Sequence, residues 1–79
     1  LRESGRALEA LAPLRRAVEL VPESAIARSN LAVALRAAGR PREAHAELVR
    51  ALALQPDDAR LHGNAAAALF DLGRAREAA

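Results

Sequence analysis

The sequence predicts an all-α fold, a solenoid of stacked helical hairpins. Three observations carry that expectation: a 34-residue internal period, two helical segments within each period, and turn residues recurring at the same step. Gly5, Gly39 and Gly73 are spaced by 34, as are Arg6, Arg40 and Arg74. Glu9, Glu43 and Glu77 keep the step, and so do Ala10, Ala44 and Ala78. Pro22 pairs with Pro56 and Asn30 with Asn64. A shift of one period aligns 22 identities in 45 positions, where so alanine-rich a chain gives about 7 by chance. A repeat array is a surface for holding something, so the first functional reading is a binding scaffold and not a catalyst.

Each element follows from local chemistry. Ser24 is a good N-cap, and residues Ala25 to Ala38 then run without Gly or Pro. Gly39 stands where a left-handed C-terminal cap is wanted. Pro41 falls in the first turn of the next helix, where its missing N–H costs nothing. That helix runs to about Leu54 and is stopped by Gln55-Pro56. Asp57 and Asp58 open the following helix, one of them as its cap and both favouring its positive end. It is expected to end near Leu72, at Gly73, with a further helix beginning at Arg74. The first helix is expected from about Ala7 to Leu20. Pro13 opposes it, removing a backbone bond at a cost of about 3 kcal/mol. The expectation there is a kink, or a helix beginning near Leu11.

Two antiparallel helices per period cannot bury their apolar faces alone, and stacking neighbouring hairpins does so. Leu31, Ala32 and Leu35 form one stripe, and Ala44, Leu48, Ala51 and Leu52 form the facing one. The alanines let the two helices approach closely. Leu20 and Leu54, two residues before each proline, are expected to pack the turns between hairpins.

Composition narrows the alternatives. Seventy-nine residues form one small unit with a marginal core. There is no cysteine, hence no disulfide, thiolate metal site or thiol nucleophile. The formal charge is only +2, and all 12 basic residues are Arg, which with the abundant Ala points to a GC-rich bacterial genome. No apolar run approaches the ~18 residues that span a bilayer, and no signal-peptide pattern opens the chain, so a cytoplasmic setting is expected. Leu1 falls mid-repeat, as in a piece of something longer. The expected division is a partial repeat over 1–22, a complete one over 23–56 and a partial one over 57–79.

These features resemble the tetratricopeptide repeat. The complete unit reads Arg28-x-x-Leu31-Ala32-x-x-Leu35, then Ala44-x-x-x-Leu48, then Pro56. The unit before supplies Ala10-x-x-x-Leu14 and Pro22, and the one after supplies His62-x-x-Ala65-Ala66-x-x-Leu69 and Ala78. The chain departs from the family where Arg28 and His62 replace a large aromatic, Ala65 replaces leucine, and Leu14 and Leu48 replace phenylalanine. Less area is then available to bury, and a less stable array is expected. The resemblance implies a right-handed superhelical solenoid of antiparallel hairpins, with protein or peptide partners.

Function is expected on the stripe that stacking leaves open. In the complete unit this is Ile26, Ser29, Asn30, Val33, Arg36 and Ala37, and in the next it is Arg60, Gly63, Asn64, Ala67, Phe70 and Asp71. It is similar to the stripe that lines the family's concave groove, where extended peptides or partner helices are gripped. Asn is a mediocre helix former, so its recurrence mid-helix calls for an offsetting use. A primary amide both donates and accepts, so a ladder of amides can pair with a peptide backbone of any sequence. Long superhelical members, including the arrays on O-linked N-acetylglucosamine transferases, use asparagines here in that way; the bland alternative is bonding within the helices. Asn30, Asn64, Val33, Arg36, Arg60, Ala67 and Phe70 are the candidate peptide-binding residues. Arg36 and Arg60 offer positive charge to acidic groups. Phe70, the only aromatic side chain, is either half-buried against its neighbour or a wall for a ligand. Chaperone-binding members clamp a carboxylate with a Lys, Asn and Arg set, of which only Asn30 and Arg60 are present.

Catalysis finds little footing. His45 and His62 lie on different helices, His45 as a partly exposed residue and His62 as a hairpin-packing one. Neither a zinc spacing nor a Gly-rich phosphate loop is present, so no catalytic residue, metal or cofactor is expected. The arginines alternate with Glu and Ala and lack aromatic partners, which argues against nucleic acid. Two other roles are compatible with the pattern: a non-catalytic arm that positions substrates for an enzyme such as a glycosyltransferase, and a module that stacks end to end with copies of itself.

Overall fold

A computed structural model describes the backbone of residues 2–78 and the side-chain surroundings of residues 9–74. Among these residues there are four helices: α1 (Arg2–Leu20), α2 (Ala25–Ala37), α3 (Pro41–Leu54) and α4 (Ala59–Ala78). Each packs against the next, and α2 also touches α4. The shortest dimension across the Cα atoms is 14 Å, about the width of two packed helices. The seam between α2 and α3 is the most extensive of these contacts.

That seam holds the core. Leu31, Leu35 and Leu48 are its largest fully buried side chains, interleaved with Ala32, Ala44 and Ala51. Each buried leucine contributes about 2 kcal/mol of apolar transfer. Leu52 is only partly buried at the edge of this cluster. Arg28 Nη1 donates to Glu47 Oε1 across the seam at 2.9 Å, which fixes the face of α3 carrying Ala44, Leu48 and Ala51 against α2. Leu11 from α1 and Leu61, Ala65 and Ala68 from α4 extend the core to either side.

The expected caps of the central hairpin are present. The Ala27 amide donates to Ser24 Oγ at 3.1 Å. At the other end of α2 the Gly39 amide reaches the Arg36 carbonyl at 3.0 Å, and the Arg40 amide reaches that of Leu35 at 2.8 Å. This pair of bonds needs a left-handed residue, and Gly39 supplies it with φ of 76°. Pro41 opens α3. Of the two aspartates before α4, Asp58 is the cap, accepting the Arg60 amide at 2.9 Å.

The two turns between hairpins carry the same latch one period apart. Arg28 Nε donates to the Pro22 carbonyl at 3.0 Å, and His62 Nε2 lies 2.6 Å from the Pro56 carbonyl. His62 is therefore an exposed strap over its turn and not a packing residue. Leu20, 67% exposed, and Leu54, also exposed, do not pack these turns either. A polar side chain over a carbonyl holds the turn, so the leucines are not needed there.

The terminal helices depart furthest from expectation. α4 does not stop at Gly73 but continues to Ala78, and α1 begins at Arg2, well before Leu11, and passes Pro13 unbroken. A left-handed turn at Gly39 is compensated by burying α3 on α2. Gly73 takes no positive φ, and α4 runs on through it. Pro13 is exposed, which leaves water to satisfy the carbonyl that its missing N–H abandons. Leu1 and Ala79 lie outside the described residues, as does the side chain of Ala78.

Candidate peptide-binding groove

A cleft of about 120 Å³ lies between the N-terminal parts of α2 and α4. Ala25 and Leu61, both in the core, form its floor. Ile26, Ser29 and Asn30 from α2 face Arg60 and Asn64 from α4, and Gln55 and Asp58 close the end from the intervening turn. The one-period step is what aligns Asn30 with Asn64, since equivalent residues of successive first helices stand side by side. Among the described residues no hydrogen bond engages either side-chain amide, so both keep donors and acceptors for a ligand.

Three of the seven candidate residues, Asn30, Asn64 and Arg60, thus line one cleft. Val33, Arg36, Ala67 and Phe70 do not; they continue the same helices toward their C-terminal ends. Val33 is 51% exposed and Phe70 is 66% exposed, so Phe70 is not half-buried against its neighbour. The Arg74 guanidinium carbon lies 5.9 Å from the Phe70 ring centre, close enough for a cation–π contact on an exposed ring.

The expected positive character is largely offset. Arg36 Nε donates to Asp71 Oδ2 at 2.7 Å, tying α2 to α4 beyond the cleft. Arg60 folds back on Asp58, with Nη2 at 3.4 Å from Oδ2 and Nε at 3.5 Å from Oδ1. The Arg60 side-chain hydrogen bonds, and then its backbone amide, hold the Asp58 carboxyl below its ordinary value. The cleft therefore sets an apolar floor beneath amide-bearing walls, with the charges of Arg60 and Asp58 balanced.

Gln55 and Asp58 escaped the sequence reading, which looked for groove residues on helices only. The N-cap position of Asp58 was the available signal, because a cap stands at the mouth of its helix. Nothing comparable marks Gln55, whose counterpart one period earlier is Val21. Among the described residues no three His, Cys, Asp or Glu groups gather as metal ligands, and no helix is long and apolar enough to cross a membrane.

Successive packed helices, with the turns at Pro22 and Pro56 latched alike one 34-residue period apart, define a helical-repeat protein. A family model described as the tetratricopeptide repeat matches residues 1–63 and, in a second placement, residues 35–79. The chain belongs to the tetratricopeptide repeat family. Members of this family are in general non-catalytic scaffolds for protein–protein interaction. Comparisons with curated proteins and with solved structures gave no match.

Proposed function

We propose that the chain holds an extended peptide, or an extended segment of a partner protein, across the first turns of α2 and α4. The observation that carries this reading is the pair of unengaged amides, Asn30 and Asn64, facing one cleft. Each offers a donor and an acceptor to a peptide unit, so recognition here is of backbone more than of sequence. Val33, Ala67 and Phe70 extend the path as an apolar ledge for ligand side chains. Arg60 stands at the rim, and Arg36, paired with Asp71, bounds the ledge. Balanced charge favours a ligand of low net charge over a strongly acidic one.

The test is capture on a peptide array by the wild-type chain and by the double variant Asn30→Ala/Asn64→Ala, with circular dichroism confirming that both are helical. Loss of the captured peptides in the variant is the expected result. Equal capture by both proteins would remove the asparagines from the contact.

A further inference from the structure

We propose that the cleft takes one branched aliphatic side chain of the ligand, of valine or leucine size, so that a site reading backbone is selective at a single residue. The inference rests on the reading of the cleft as a peptide site. Its floor is Ala25 and Leu61, 5% and 3% exposed, and Ile26 lines it with 65% of its surface in water. The floor asks for nothing polar: among the described residues no buried side-chain nitrogen or oxygen lacks a partner. Covering Ile26 and the floor with apolar atoms therefore releases water without breaking a hydrogen bond. The period does not dictate these contacts, since Ala27 stands one step before Leu61 and Arg60 one step after Ile26. Both apolar residues are departures from the repeat, and they meet at this cleft.

Size sets the group. A closed cavity of about 150 Å³ holds benzene, so a cleft of about 120 Å³ seats about three or four carbons but not a whole ring. Charge excludes other groups. Arg60 and Asp58, the two charged residues of the lining, are already paired at 3.4 Å. A carboxylate or ammonium on the floor would lose water with no free counter-charge to replace it. Geometry limits the selection to one residue. Successive side chains of an extended chain point to opposite sides. A strand held by Asn30 and Asn64 therefore turns one side chain to the floor and both its neighbours away. Gln55 and Asp58 close the cleft toward the turn, which bars a long unbranched side chain from running on in that direction.

The experiment is fluorescence anisotropy with short labelled peptides of serine and glutamine, whose central residue is glycine, valine, leucine, tryptophan or aspartate. The proteins are the wild type, Ile26→Ser and Asn30→Ala/Asn64→Ala, with circular dichroism checking that each is helical. Ile26 is exposed, so its substitution leaves the core intact. The wild type should bind the valine and leucine peptides about tenfold tighter than the glycine peptide, as half-burying three carbons implies. It should bind the tryptophan and aspartate peptides no tighter than glycine. Ile26→Ser should keep the glycine-peptide affinity and lose most of the preference, whereas the amide variant should bind every peptide more weakly. Equal binding of all central residues by the wild type, with loss in the amide variant, overturns the aliphatic site and leaves the backbone reading standing. A preference that survives in Ile26→Ser, or tightest binding of tryptophan or aspartate, also overturns it. Undiminished binding by the amide variant, with the valine preference intact, removes the amide grip and supports the aliphatic site. A wild type that binds none of the peptides overturns both.

Discussion

Arg36 and Asp71 meet at 2.7 Å although 35 residues separate them, one from each of two successive first helices. Both side chains are 31% exposed, so solvent screens much of the attraction. A double-mutant cycle with Arg36→Ala and Asp71→Ala should give a coupling of about 0.5 kcal/mol in urea unfolding. The coupling should shrink as salt is added. A coupling that salt leaves unchanged would mean that the contact acts by packing.

Two glycines one period apart should respond to alanine in opposite directions. Neither has an atom within 4 Å of where a Cβ would stand, so crowding does not decide the outcome. Gly39 holds a left-handed conformation, and Gly39→Ala should lower stability by about 1–2 kcal/mol. Gly73 lies inside α4, and Gly73→Ala should raise stability by about 0.5–1 kcal/mol. Thermal melts of the two variants decide this; destabilisation by both would place a turn at Gly73 in solution.

Two leucines should differ as sharply. Leu48 is fully buried in the α2–α3 seam, and Leu48→Ala should cost about 2–5 kcal/mol, enough to abolish folding of so small an array. Leu20 is mostly exposed, and Leu20→Ala should stay within about 0.5 kcal/mol of the wild type. Loss of helicity in Leu20→Ala would restore that residue to the turn.

Acid should weaken the cap of α4 in a way one substitution removes. Asp58 is held below its ordinary value, chiefly by the Arg60 side chain, so folding favours its ionised form. Its contribution is complete above the ordinary carboxylate range and fades as pH falls through the lowered value. Asp58→Asn keeps a capping acceptor and loses the titration. Melting temperature should therefore fall less steeply below about pH 4 in Asp58→Asn than in the wild type. Equal slopes would show that the Arg60 contact does not persist in solution.

The central hairpin was legible because its signals are local. Ser24, Gly39 and Pro41 each act within a few residues, and each does in the structure what its chemistry suggests. Gly73 was misread because glycine permits a left-handed turn without requiring one, and here it stays within α4. The same residue type in the same register is therefore bent at Gly39 and straight at Gly73. Asn30 and Asn64 could be paired from the period alone. Gln55 could not be added, because its place in the cleft depends on how a turn lies against two helices.

The latches at Pro22 and Pro56 bear on how such an array changes over evolutionary time. In each, a side chain six residues further on reaches back to the proline carbonyl, by Arg28 in one case and His62 in the other. Only a long side chain with a nitrogen donor is required, so the position tolerates exchange between chemically different residues without loosening the joint. A duplicated repeat would arrive with its own fastening already in place, free to exchange arginine for histidine while the spacing between hairpins is kept.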